Sequence, residues 1–188
     1  MALQAMIEVA GRAFADGMQT ETLEHVLDSV ACLKCEDLDL AARMASLSRD
    51  DRWCADEIHD EPGFHVSLFR VPAGHTLPLH DHPGMHVIFR TLWGRLRVEA
   101  FDWALEFPGS GLARLAYKRE CDGGVAPILL EPHRGNLHRI EALEDCAFID
   151  VLSPKYDPAQ GRKCSYYREV ETVERGDERL VRLELASE

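Results

Sequence analysis

From Phe64 onward the chain is a succession of short runs rich in β-branched, aromatic and leucine residues. They read "FHVSLFRV", "HVIFRTLW", "RLRVEAFDW", "LARLAYKRE", "APILLEP", "LHRIEAL" and "CAFIDVL", with "CSYYREVETV" and "ERLVRLEL" closing the sequence. Turn-forming groups separate them: "PAG", "HPG", "WG", "FPGSG", "DGG" and "HRGN". Many short strands at regular spacing satisfy each other only by closing into an all-β sandwich or barrel. The first fifty or so residues break from this pattern. Leu23, Val26, Leu27 and Val30 follow helical spacing, with Thr20 as the expected N-cap and Glu21 and Glu24 in the first turn, where the helix dipole favours acids. "DLDLAARMASL" predicts a second short helix. The expected organisation is a helical N-terminal extension over residues 1–50 and a β-barrel domain over 51–188.

Charge and composition exclude several classes of function. A formal charge of −12 with no Lys/Arg-rich run gives no nucleic-acid partner and no anionic membrane surface. No apolar run approaches the roughly 20 residues that span a bilayer. The N-terminus lacks the basic start of a secretory signal, so a cytoplasmic location is expected. The six cysteines, Cys32, Cys35, Cys54, Cys121, Cys146 and Cys164, are expected as reduced thiols. Cys32 and Cys35 form a C-x-x-C, but no second pair and no thioredoxin-like pattern accompany it, so it reads as two cysteines in or beside a helix. No G-x-G-x-x-G follows a strand, so no dinucleotide cofactor is expected.

The chemistry concentrates in "LHDHPGMH", which holds three of the nine histidines. In an extended segment, side chains at i and i+2 share a face. His80 and His82 then project together, Asp81 points away, and Pro83-Gly84 turns the chain. Two imidazoles on one face can hold a metal if another strand supplies a third ligand; His86, His133 and His138 are the candidates. H-x-H by itself is a weak signal. His25, His59, His65 and His75 show no partner pattern and read as surface or core-edge residues.

The context is more specific. "GHTLPLHDH" fits G-x5-H-x-H, Gly94 follows the next strand, and "GNLH" supplies Gly135 and His138. Together these resemble the two motifs of the cupin, a jelly-roll barrel that holds a metal between its sheets. Many cupins carry a glutamate ligand shortly after H-x-H; here Val87 stands in that register. Three neutral imidazoles leave a divalent charge uncompensated, unlike the carboxylate-bearing triads of many Fe(II) oxygenases. Such a shell favours an anionic incoming ligand, and a thiolate is soft and electron-donating.

Two further blocks narrow the family. "PLHDHPGMHVIFRTLWG" resembles the metal-binding stretch of the cysteamine (2-aminoethanethiol) dioxygenase and plant cysteine oxidase family, and "DVLSPKYDPAQGRKCSYYREV" resembles its second signature. The resemblance runs from about Phe64 to Val170, with weaker similarity through the helical extension. It implies a thiol dioxygenase that adds both atoms of O2 to the sulfur of cysteamine or of a protein's N-terminal cysteine, giving a sulfinate. Carried over, His80, His82 and His138 hold Fe(II), with the thiolate and amine at the iron or close to it. Asp150 corresponds to the family's acidic residue near the substrate, and Tyr156 to a pocket tyrosine. Cys164 and Tyr166 match a pair that becomes covalently linked in animal-type members, and His86 is expected outside the ligand set.

Each of these has a plainer reading. Asp150 interrupts an apolar run, so it is either exposed or buried with a partner. Tyr156 follows Ser153-Pro154 in a loop, where it anchors the loop or binds substrate. Cys164 and Tyr166 share a face of an extended segment, so simple packing accounts for them too. Lys155, where many relatives have a second proline, and Arg134, before the third histidine, depart from the family pattern. A non-catalytic metal-binding cupin and another cupin metalloenzyme, such as an isomerase, are the rival readings. A monomer is expected.

Overall fold

A computed structural model of the chain describes residues 2–15, 17, 19–46 and 52–186. It contains three α-helices, α1 (Ala2–Ala15), α2 (Thr20–Ala31) and α3 (Leu40–Ala45), followed by eleven strands. These are β1 (Cys54–Asp60), β2 (His65–Val71), β3 (Thr76–His80), β4 (His86–Trp93), β5 (Arg95–Phe107) and β6 (Ser110–Asp122). They continue as β7 (Ile128–Leu130), β8 (Leu137–Ala142), β9 (Cys146–Ser153), β10 (Tyr167–Arg175) and β11 (Glu178–Leu185). One sheet runs β1-β2-β9-β4-β7 and the other β10-β11-β6-β5-β8-β3, with antiparallel pairing between neighbours. This is the cupin jelly-roll with an N-terminal helical region.

The central strand β9 is buried along its whole length, which follows from its position. Its alternate residues Cys146, Phe148 and Leu152 face the barrel interior with Val87 and Phe89 of β4. Phe148 lies 4.9 Å, centroid to centroid, from both Phe69 and Phe89. Burying one such ring contributes about 2–3 kcal/mol. The intervening residues Ala147, Ile149 and Val151 face outward, where α1 and α2 cover them with Met6, Val26 and Val30. The helical segment therefore shares a core with the five-stranded sheet. Arg90 of β4 ties the two together by donating to the backbone oxygens of Val30 (2.6 Å) and Leu33 (2.7 Å), at and just beyond the end of α2.

The apolar stripe of α2 packs as its spacing predicts: Val26 and Val30 are buried, and Leu23 and Leu27 pack against the same cluster. Its N-cap is Gln19, not Thr20, which is the first helical residue; Thr22 Oγ1 donates to the Gln19 carbonyl at 2.8 Å. The second predicted helix is divided. A 3-10 turn over Cys35–Leu38 is separated from α3 by Asp39, whose φ of 48° lies in the left-handed region, and Leu47 falls outside the described residues. Two strands went unforeseen as strands. β1 is an edge strand with mixed exposure and a polar sequence, so no clear apolar face marks it. β3 contains Pro78, which has no N–H to give a ladder, and its register breaks between Leu77 and His80. None of the six cysteines, all among the described residues, forms a disulfide; Cys32 sits at the end of α2 and Cys35 donates to the Leu92 carbonyl at 3.4 Å. Among the described residues, no helix is long and apolar enough to cross a membrane.

Candidate metal centre

The jelly-roll brings the histidines together by strand pairing. His80 is the last residue of β3 and lies directly opposite His138 of β8. His82 follows just beyond the strand. Pro83 and Gly84 then turn the chain, with Gly84 at φ 66° and Met85 N donating to the His82 carbonyl at 3.0 Å. Ring centroids are 4.9 Å apart for His80–His82, 4.5 Å for His80–His138 and 5.0 Å for His82–His138. One nitrogen from each of the three lies within 4.8 Å of the others. The other candidate third ligands lie elsewhere. His133 is exposed on the loop before β8, and His86 stands on β4 in register with Ser153.

Hydrogen bonding fixes which nitrogens face the centre. His80 Nδ1 lies 2.8 Å from the Pro78 carbonyl, which can only accept, so Nδ1 carries the proton and Nε2 keeps its lone pair. The Tyr156 hydroxyl lies 2.8 Å from the Asp81 carbonyl and 2.7 Å from His82 Nδ1. Its single proton goes to the carbonyl, so the phenolic oxygen accepts from His82 Nδ1–H. His82 Nε2 is left buried without a partner, as is His138 Nε2. Such groups are costly unless something binds them. Burial lowers all three pKa values, His82 and His138 well below the ordinary histidine range, so the rings are neutral and able to ligate. The donor set fits a divalent metal held by imidazole, and this is a three-histidine metal-binding site. Val87 is buried in the interior apolar cluster, so no carboxylate enters from that position.

Neighbouring segments hold the ligands in place. Asn136 clasps His82, accepting from its backbone N–H at 3.0 Å and donating to its carbonyl at 2.8 Å. Asp81 does point away from the histidines. Its carboxylate accepts from Ser165 N–H at 2.8 Å and the Tyr167 hydroxyl at 3.0 Å. A further bridge pairs His80 with Tyr166. The segment before β10 is thereby zipped onto the ligand strand, and alternation turns Cys164 and Tyr166 toward the centre.

A cavity of about 270 Å³ opens beside the histidines. His80, His82, Asp150, Tyr156, Cys164 and Tyr166 line it; Trp53, Phe69, Leu77 and Leu152 supply apolar walls. Six of the seven site residues expected from the sequence therefore share one cavity, and His138 completes the trio from a fully buried position. The alternatives left open for Asp150 resolve to neither simple form. It is 2% exposed, yet its Oδ1 has no hydrogen-bond partner. Burial pushes its pKa up to about 8. Tyr156 anchors His82 as well as lining the cavity. Cys164 interacts with the hydroxyls of both Tyr156 and Tyr166, and burial pushes its thiol up.

Sequence reasoning passed over His65, Ser67 and Asn136. His65 and Ser67 line the cavity from β2, where the polar alternation inside "FHVSLFRV" was the available signal. Asn136 was read only as a turn residue. Its clasp joins segments 54 positions apart, which spacing alone does not reveal.

The PCO_ADO family model matches residues 19–186, which takes in most of the helical segment, where weaker similarity was expected, and runs past Val170 through the last strand. The 2-aminoethanethiol dioxygenase of Homo sapiens is 33% identical over 182 residues, covering 81% of this chain and 67% of that protein. Plant cysteine oxidase 2 of Arabidopsis thaliana is 30% identical over 183 residues, covering 88% of this chain and 65% of that protein. Among solved structures, KdgF from Halomonas sp. aligns with a TM-score of 0.45 at 19% identity, over 60% of this chain and 88% of that one. The chain belongs to the PCO_ADO family.

Proposed function

We propose that this protein is a non-heme Fe(II) thiol dioxygenase that adds both atoms of O2 to the sulfur of cysteamine or a protein N-terminal cysteine, yielding a sulfinate. One observation carries the reading: an all-histidine metal set and a buried carboxyl with an unpartnered oxygen, Asp150, face the same small cavity. The first calls for an anionic ligand and the second for a cationic or hydrogen-bonding one. An aminothiol supplies both within a few bonds.

His80, His82 and His138 hold the metal. Iron, when bound, provides the spin-allowed route to O2 and polarises the thiolate. Asp150 receives the substrate amine; the incoming ammonium offsets the desolvation that otherwise keeps this carboxyl protonated near neutrality. Tyr156 orients His82 by accepting from its Nδ1–H. Trp53, Phe69, Leu77 and Leu152 exclude water from the thiol and limit side reactions. Cys164 and Tyr166 line the cavity and interact with each other, which supports a covalent link between them; O2 would be its two-electron oxidant, and intact-mass measurement would show the loss of two hydrogens.

The test is to load the protein with Fe(II) without O2, then admit O2 with cysteamine or a peptide beginning with cysteine. Mass spectrometry should show two added oxygens on the thiol. Full iron occupancy with no oxygen gained by either substrate rejects the reading.

A further inference from the structure

Strand β2 alternates, so His65, Ser67 and Phe69 face the barrel interior while Val66 and Leu68 face the helices. Ser67 stands directly opposite Asp150 in the β2–β9 register and lines the metal cavity. His65 lines that cavity and also a second one, of about 280 Å³, bounded by Glu57, Asp60, Leu152, Lys155 and Tyr156. It is thus the partition between the metal cavity and an outer pocket. Its ring is bonded on both sides: Nδ1 is 3.1 Å from Asp60 Oδ1, and Nε2 is 2.7 Å from Ser67 Oγ.

These contacts have a direction. An ionised carboxylate only accepts, so His65 Nδ1 carries the proton. Nε2 is then an acceptor, and the Ser67 hydroxyl donates to it. Lys155 Nζ sits 2.8 Å from each Asp60 oxygen, and together with His65 holds Asp60 below the usual carboxylate range. Ser67 keeps free lone pairs for a donor arriving in the cavity.

We propose that Ser67, His65 and Asp60 form a proton relay that takes the substrate's thiol proton from the metal cavity to the surface. The proposal rests on the thiol-dioxygenase reading above. A thiol that becomes a bound thiolate must give its proton to something. The Nε2 lone pairs of His80 and His82 face the metal position, and their Nδ1 atoms already carry protons. Asp150 is taken up by the substrate amine, and the Tyr156 hydroxyl is already committed to the Asp81 carbonyl and His82 Nδ1.

In the relay the S–H bond breaks and its electron pair stays on sulfur. The proton passes to Ser67 Oγ as the proton of Ser67 moves to His65 Nε2. The resulting imidazolium is stabilised by Asp60 and discharges to solvent through the outer pocket. No electrons are exchanged. The groups facing His65 are Asp60 and Glu57 from β1, Lys155 and Tyr156 after β9, Asp150 on the neighbouring strand β9 and Ser67 on its own strand. Ser67 touches the substrate; His65 and Asp60 act through it.

Two measurements on the full chain test this. In the metal-free protein, nitrogen-15 NMR should show His65 as the Nδ1–H tautomer, and Asp60→Ala should remove that bias; an Nε2–H tautomer in the parent protein overturns the relay. With Fe(II) loaded and O2 excluded, an indicator dye follows proton release on mixing with cysteamine. Ser67→Ala should slow release by at least about tenfold near pH 6.5, and the deficit should close near pH 9.5, where the thiol arrives ionised. Ser67→Thr, which keeps the hydroxyl, should restore the parent rate. A deficit independent of pH, or none, overturns the relay while leaving the dioxygenase reading intact. Failure of the parent protein to form sulfinate at either pH removes that underlying reading, and the relay with it.

Discussion

Tyr156→Phe isolates the group that sets the tautomer of one ligand. The substitution keeps the ring and removes one oxygen, which bonds the Asp81 carbonyl and His82 Nδ1. Each such bond contributes about 1 kcal/mol net, so the total loss is about 2 kcal/mol. The two halves report differently. The Asp81 carbonyl loses its donor with or without metal, so that half appears as stability, a Tm decrease of about 2–4 °C for a chain of this size. The His82 half appears in metal binding. Without the phenolic acceptor, Nδ1 no longer favours the proton, and Nε2 must give up its own before it can ligate. That weakens affinity by roughly tenfold, up to about 100-fold for groups supporting a metal-bound histidine. Anaerobic titration of metal-free protein with Co(II), followed by its visible absorption, measures the affinity, and a melt of the same metal-free sample measures stability. An unchanged Co(II) affinity, within about threefold, would refute the assignment of Tyr156 as the acceptor that fixes His82.

Three further outcomes follow from the same geometry. His138→Ala should reduce metal content from one ion per chain to near zero by elemental analysis, because His80 and His82 alone leave the set open; full occupancy with activity would reject His138 as third ligand. Burial lifts Asp150 to about 8, above its unfolded value, so the stability tied to this group is full below about pH 4 and is lost as pH rises to about 8. Asp150→Asn in the metal-free protein should then be more stable than the parent at pH 7 by up to about 4 kcal/mol at 1.36 kcal/mol per unit, with the gap vanishing toward pH 4 in urea melts. Arg90→Leu should lower the Tm by about 4–8 °C, since two carbonyls at the end of α2 lose a charged donor, with little change in Co(II) affinity.

Two glycines show how local sequence constrains the barrel. Gly94 joins β4 to β5 at φ 71°, and a Cβ there would lie 2.1 Å from the Asp145 carbonyl oxygen. Gly135, at φ 65°, precedes the third histidine, and a Cβ there would lie 3.2 Å from the Tyr117 ring. Both stand in the motifs that identified the cupin, because each turn needs a residue with no side chain.

Spacing left the third histidine open among His86, His133 and His138, but the strand succession, the helical stripe of α2 and the His80–His82 pair are legible in the chain alone. These are encoded locally: period-2 and period-3.6 burial, turn residues, and residue types in order. The sequence also placed Val87 where a carboxylate might have stood. Tertiary structure decided what spacing cannot carry. Strand β3 was legible only as an extended stretch, since Pro78 masks a strand pattern, yet its pairing with β8 sets His80 against His138. Only the fold shows that Asp150 is buried with an oxygen unpartnered, since helices cover the outer face of β9 and its other face, which carries Asp150, turns into the barrel. Only the fold brings Tyr156 and Asn136 to His82, 74 and 54 positions away, to set its tautomer and hold its backbone. Ligand identity is a property of residue type, whereas ligand protonation depends on which distant oxygen faces which ring nitrogen.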